Sequence, residues 1–305
     1  MPRFLLGFLT GLLFLGCGEP PAGEATAPPM VAAVQAAPDV EEDTVAREEP
    51  LTAPAPAPPP PAAPKKVTVA PPPPTNTAPA PAPPKAKTVA VSSFAPSHAI
   101  WNELLQRHVS AGGKVDYRGL LEHRDRLETY LDLLAKDAPD ARWTREERLA
   151  YWINAYNAFT IQLILNNWPV KSIRDLDEPW DRKFIKLEGK AYSLNQIEHE
   201  IIRPEFREPR IHFALVCAAL SCPPLANQAY TPANLERMLE ERTRSFINDE
   251  KFNVTQEAVV RVSPLFDWYA DDFGDPKTFL NRYLVIDIPP RKELHFLDYD
   301  WELND

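Results

Sequence analysis

Residues 144–167 read TREERLAYWINAYNAFTIQLILNN. Thr144 and Glu147 stand three apart, the spacing at which each side chain can accept the other's backbone N–H and so cap a helix start. The helix begun there is expected to stop before Pro169, because the residue ahead of a proline is pushed out of helical conformation. Beyond its first turn the stretch is apolar nearly all round. A helix without a polar face has to be covered on every side, so this one is expected to be the centre of the core. Asn154 and Asn157 lie i, i+3 on one face of it. Buried asparagines need backbone partners, and these two are expected to scaffold the 210–225 segment.

The pattern is helical upstream as well. HAIWNELLQRHV (98–109) and GLLEHRDRLETYLDLLAKD (119–137) repeat apolar residues at helical spacing, with Gly112-Gly113 and a short extended KVDY between them. Downstream, KFIKLEGKAYSL predicts a hairpin turning at Glu188-Gly189. NQIEHEIIR (195–203) predicts a helix. TPANLERMLEERTRSFIN predicts another, capped by Thr231 with Pro232 at its first position. KFNVTQEAVVRVS predicts a second hairpin, SPLFDWYADDFG a helix ending at Gly274, PKTFLNRYL a helix, and ELHFLDYDW a closing strand. Helices and short hairpins interleave with no βαβ regularity. The expected class is α+β: a mostly helical single domain over 94–305 with a small antiparallel sheet.

The first 93 residues differ. MPRFLLGFLTGLLFLGC places Arg3 before an apolar run from Phe4 to Leu15, long enough for a leader and short of the roughly 20 residues that span a bilayer. Phe14-Leu15-Gly16-Cys17 resembles a lipobox, with Phe14 where leucine is usual. The expectation is a lipoprotein-type signal over 1–17 and lipidation at Cys17, anchoring the chain to a bacterial envelope membrane with its domain outside the cytoplasm. Of 35 prolines, 21 fall between Pro20 and Pro84. Such runs favour extended polyproline II, so 18–93 is expected to be a disordered tether reaching on the order of 200 Å at ~3.1 Å per residue. The net charge is −10 overall and −8 over 94–305. An acidic domain without a basic block argues against nucleic acid as a partner.

Several segments together resemble one family. They are YWINAYNAFTI (151–161), SLNQIEHEIIR (193–203), RIHFALVCAALSCPPL (210–225), LFDWYADDFG (265–274) and YDW (299–301). The chain is similar over about 97–303 to the domain of unknown function 547 family of bacteria and plants. The resemblance implies no agreed activity. The positions matching its pattern are Asn154, Asn157, His199, His212, Cys217, Cys222 and the Asp272-Phe273 pair.

Chemistry must come from the residues themselves. As strand or as helix, 211–219 would put Cys217 on a bulky apolar face with Phe213, so Cys217 is expected to be a packed, inert thiol. Cys222 precedes Pro223-Pro224, which force a break, and is expected to border a cleft as the nucleophile. A thiol needs a base or a positive field to be activated near neutrality. His212 lies about 30 Å away along a straight strand or about 15 Å along a helix, so it reaches Cys222 only if the chain bends back; His199 has no such limit. Asp272, or Asp267 or Asp271, could orient the imidazole. This set predicts a thiol-dependent hydrolase or acyl transferase using Cys222, His199 or His212, and Asp272. The alternatives are a non-catalytic envelope binding or scaffolding module, and a Cys217–Cys222 disulfide, which needs Cα atoms within about 7 Å. No HxxxH or CxxC spacing points to a metal, and no cofactor is expected.

Overall fold

The computed structural model describes residues 95–305. The expected leader, Cys17 and the tether lie outside the described residues. At the centre is α4 (Arg145–Asn166), in which 17 of 22 residues are buried. Its start is fixed as the spacing predicts: Glu147 N–H donates to Thr144 Oγ1 at 3.1 Å, and Thr144 N–H donates to Glu147 Oε2 at 2.7 Å.

Before it come α1 (Ala99–His108), α2 (Tyr117–Glu122) and α3 (Arg124–Lys136). The single helix expected over 119–137 is two. Asp116 starts α2 early by accepting from Gly119 N–H at 2.8 Å. His123, at φ −116° and ψ 25°, interrupts the turn before α3. α1 packs on α3, and α3 on α4. After α4, β1 (Ile185–Leu187) and β2 (Lys190–Tyr192) pair antiparallel with Ile185 opposite Tyr192. Their turn residues Glu188 and Gly189 both have positive φ, 45° and 74°, the backbone a tight two-residue hairpin requires.

Residues Gln196–Ile202 form a π-helical stretch that continues into α5 (Arg203–Phe206). A 3₁₀ turn comes next, over Pro209–Phe213. The helix expected to be capped at Thr231 is α6 (Leu235–Ile247). Thr231–Asn234 instead form a turn in which the Asn234 side chain accepts from Thr231 N–H at 2.7 Å and donates to Ala229 O at 3.0 Å. The second hairpin is reduced to one antiparallel bridge between Val254 and Arg261. β3 (Val260–Val262) pairs parallel with β4 (Leu294–Phe296). Thus the antiparallel sheet is β1–β2, and a parallel pair joins residues far apart in sequence. The helix expected over 263–274 is broken at Tyr269 into α7 (Leu265–Trp268) and α8 (Ala270–Phe273), with α9 (Pro276–Asn281) after them.

Among the described residues the buried side chains form two clusters. One surrounds α4; the other is phenylalanine-rich, built from Phe246, Phe266, Phe273 and Phe279. The 209–222 segment runs between them, with Phe213 in the second cluster and Ile211 and Leu215 in the first. Being covered on both sides explains its uniform apolarity. Among the described residues no helix is long and apolar enough to cross a membrane.

Candidate functional site

The 3₁₀ turn carries His212 into the interior, 3 % exposed. Its Nε2 lies 2.7 Å from Asp272 Oδ2, supplied by α8. Arg203, at the start of α5, forks onto the same carboxylate, Nε to Oδ2 at 2.6 Å and Nη2 to Oδ1 at 3.0 Å. Bidentate pairing of this kind fixes geometry as well as charge. Tyr269 is the plate on which both rest: the His212 ring stacks on it at 3.8 Å, and the Arg203 guanidinium lies 5.3 Å from its centroid. Partial burial pushes the Asp272 carboxyl up, but the bonds from His212 and Arg203 outweigh it and hold Asp272 well below the usual carboxylate range. An ionised carboxylate only accepts, so Nε2 carries the ring hydrogen of neutral His212 and Nδ1 keeps a lone pair. The nearest acid to Nδ1 is Glu198 of the π-helical stretch, Oε1 at 3.9 Å. Of the three carboxylates between Asp267 and Asp272, it is Asp272 that reaches a histidine.

His199 is placed differently. Its Nδ1 accepts from Arg203 Nη1 at 2.8 Å, and its Nε2 is buried without a hydrogen-bond partner. Burial lowers its pKa. It bonds neither cysteine.

The thiols sit on the loop after the 3₁₀ turn. Asn157 holds that loop, donating to Ala214 O and accepting from Val216 N–H, both at 2.9 Å. Asn154, expected to do the same, holds Tyr230 instead, through Tyr230 O at 2.7 Å and Tyr230 N–H at 3.0 Å. Ala218 takes the left-handed conformation, φ 64°, which costs a residue with a Cβ about 1 kcal/mol. The C-terminal segment clamps the loop from Ala218 to Leu220: Leu220 N–H donates to Glu302 O at 2.7 Å, and Asn304 N–H to Ala218 O at 3.0 Å.

This loop is neither strand nor helix, and it brings both cysteines to one pocket with His212. Cys217 is half-buried and Cys222 is buried; both are free thiols, not a disulfide. Cys217 N–H donates to Cys222 Sγ at 2.9 Å, and Cys217 Sγ lies 3.2 Å from the Tyr299 hydroxyl. Interaction with the neighbouring Cys222 side chain, against the opposing effect of burial and with help from Tyr299, lowers the Cys217 pKa. Burial pushes the Cys222 thiol up. Cys222 too reaches the pocket wall.

Cys217, Cys222, His212 and Glu198 line one pocket of about 50 Å³, walled by aromatic rings that include Trp180, Trp268 and Trp301. No hydrogen bond joins either sulfur to an imidazole. Among the described residues no group of three or more His, Cys, Asp or Glu side chains is arranged to hold a metal. Sequence reading missed Glu198, Arg203, Tyr269 and Tyr299. The first two sat in an ordinary charged helix pattern, and the tyrosines looked like core.

Residues 141–247 match a family model described as "Protein of unknown function, DUF547". This segment belongs to the DUF547 family. No curated protein and no solved structure matches the chain. The matched DUF547 segment contains α4, His199, Glu198, Arg203, His212 and both thiols. Asp272, Tyr269, Tyr299 and Trp301 come from chain beyond it, so the pocket is completed by residues outside the matched DUF547 segment.

Proposed function

We propose that the DUF547 segment and the C-terminal residues form a thiol-dependent acyl-transfer site acting on amide or thioester bonds, with Cys217 as nucleophile, His212 as base and Asp272 as the group that orients it. One observation carries this reading. A half-exposed thiol with a lowered pKa lines the same pocket as an imidazole whose far nitrogen is held by an ionised carboxylate. In the reaction Cys217 Sγ attacks the acyl carbon and its proton passes to His212 Nδ1. The tetrahedral intermediate collapses, and the leaving amine or thiol takes that proton. Water, or an acceptor nucleophile, then attacks the thioester, gives its proton to His212, and the thiol is restored. Catalytic hydrogen bonds are often loose in unliganded sites, which suits two groups that share a pocket without touching. The lipobox-like Phe14–Cys17 and the proline-rich stretch support an envelope setting for this activity, with the chain anchored through lipid at Cys17.

A non-catalytic binding module is the second reading, favoured by the absence of a direct sulfur–imidazole bond among the described residues. Iodoacetamide labelling of the folded protein, mapped by peptide mass, separates the two. The acyl-transfer reading expects Cys217 to alkylate at least about tenfold faster than Cys222 at neutral pH, and His212→Asn to move the pH–rate profile toward that of an ordinary thiol. Equal rates at both cysteines, or a profile indifferent to His212→Asn, leave the binding module standing.

A further inference from the structure

The pocket is lined by a buried carboxylate. Glu198 is 5 % exposed, and a buried carboxylate is expensive unless paired. Its neighbours do not neutralise it. The Tyr269 hydroxyl donates to it but carries no charge. Arg203, the nearby guanidinium, is engaged at both oxygens of Asp272. Burial disfavours a charge on His199. His212 Nδ1 stands 3.9 Å from Glu198 Oε1, and in the proposed role of base it brings no charge to that contact. That leaves Glu198, the carboxylate that lines the pocket, without a guanidinium or ammonium of its own. Among the described residues no lysine or arginine lines that pocket.

The walls suit a cation equally well. Trp301 meets Trp180 at 69° and 5.8 Å, Tyr299 at 48° and 4.5 Å, and Trp268 at 19° and 6.1 Å. The rings therefore lie in several planes around one small space. Aromatic faces attract cations, most strongly when both are desolvated. Trp301 already holds one: the Arg174 guanidinium lies 5.5 Å from its ring. A space of about 50 Å³ admits a small group and excludes a bulky quaternary one.

We infer that Glu198 and the tryptophan-walled pocket bind a small alkylammonium group, so that the acyl donor is a compound carrying a primary or singly methylated ammonium close to the bond attacked. That the bound compound is an acyl donor, and that His212 is neutral, rest on the acyl-transfer reading; the buried carboxylate and the aromatic walls do not. Three of the pocket's walls are tryptophans, so intrinsic fluorescence reports occupancy. The full-length chain carrying Cys217→Ser, which has no nucleophile at that position, is titrated with methylammonium and ethylammonium chloride, and with the alcohols of matching length, at constant ionic strength. The expected result is a saturable change with the ammonium salts at a Kd at least about tenfold below that of the alcohols, lost or weakened about tenfold in Glu198→Gln. Alcohols that bind as well as ammonium ions, no saturable ammonium response, or undiminished ammonium binding in a folded Glu198→Gln protein would overturn the inference. The ammonium–alcohol comparison needs no second substitution, so it stands even if Glu198→Gln does not fold. Ammonium binding together with an inert Cys217 in the labelling experiment would sink the acyl-transfer reading alone.

Discussion

At the scale of single residues, Cys217 depends on what donates to its sulfur. Partial burial beside aromatic rings disfavours a thiolate, and here the neighbouring Cys222 side chain and the Tyr299 hydroxyl offset that cost. Tyr299→Phe keeps the ring and removes one donor. Hydrogen bonds to charged groups contribute about 1.5 kcal/mol or more, and about 1.4 kcal/mol is tenfold in thiolate population. Alkylation of Cys217 at neutral pH should slow by about tenfold in Tyr299→Phe, with its midpoint moved upward; an unchanged or faster rate would show that the hydroxyl does not stabilise the thiolate. The types of residue able to do chemistry were legible in the sequence: His212, Asp272 and the two cysteines stand out by composition alone. Asp272 reads there as the group to orient a histidine, but which histidine it meets was not legible, because His212 and Asp272 are 60 positions apart and nothing local brings them together. The half-buried placing of Cys217 was not legible for a different reason. Reading Cys217 as strand or helix assumed a regular backbone, and the chain there turns through a left-handed alanine.

At the scale of elements, what is local was legible and what is long-range was not. The capping box of α4 and the Glu188-Gly189 turn are decided by neighbours three residues apart or fewer, and both stand where the pattern placed them. The parallel pairing of β3 with β4 joins Val260 to Leu294, and no short window contains that information. α6 starts late because the Asn234 side chain closes a turn that Thr231 and Pro232 alone would have left helical. The double proline after Cys222 reads correctly as a break, but its packing cannot be read from sequence. Pro224 lies against Gly113, whose φ is +81° and where a Cβ would come within 2.3 Å of Pro224 Cβ and 2.6 Å of its Cα. Gly113→Ala therefore meets both a forbidden conformation and a backbone that cannot step aside. It should destabilise the fold by about 2–4 kcal/mol, measured by urea unfolding, and by displacing Pro223-Pro224 it should expose Cys222 to alkylation. A Gly113→Ala protein with unchanged stability would show that the 110–114 turn and the proline turn separate freely.

At the scale of the whole molecule, buried ionisable groups set how stability varies with pH. His98 is 8 % exposed, with Nδ1 2.8 Å from the Tyr130 hydroxyl. Burial lowers its pKa from 6.5 to about 4. The unfolded chain takes up this proton near its ordinary value, while the folded chain refuses it until about pH 4. Between those limits the unfolded state binds more protons, so His98 contributes stability that is full above about pH 6.5 and lost as pH falls toward about 4. At roughly 1.4 kcal/mol per unit, the loss is on the order of 3 kcal/mol. His199, also lowered by burial, adds to it in the same direction. Asp272 titrates lower. Its folded pKa is depressed, so its contribution is present above the ordinary carboxylate value and is lost only as pH falls below that. Protonating exposed carboxylates of a region with net charge −8 relieves repulsion and works the other way, so the useful quantity is a difference between proteins. Urea unfolding at about pH 7 and about pH 4.5 should show a fall for the wild type that shrinks by about 2–3 kcal/mol in His98→Gln, whose amide keeps a bond to Tyr130 but takes no proton. Asp272→Asn should be destabilised by on the order of 3 kcal/mol at both pH values, leaving the fall between them nearly intact. A His98→Gln protein whose stability drops as far as the wild type's would place the acid sensitivity elsewhere than in this buried imidazole.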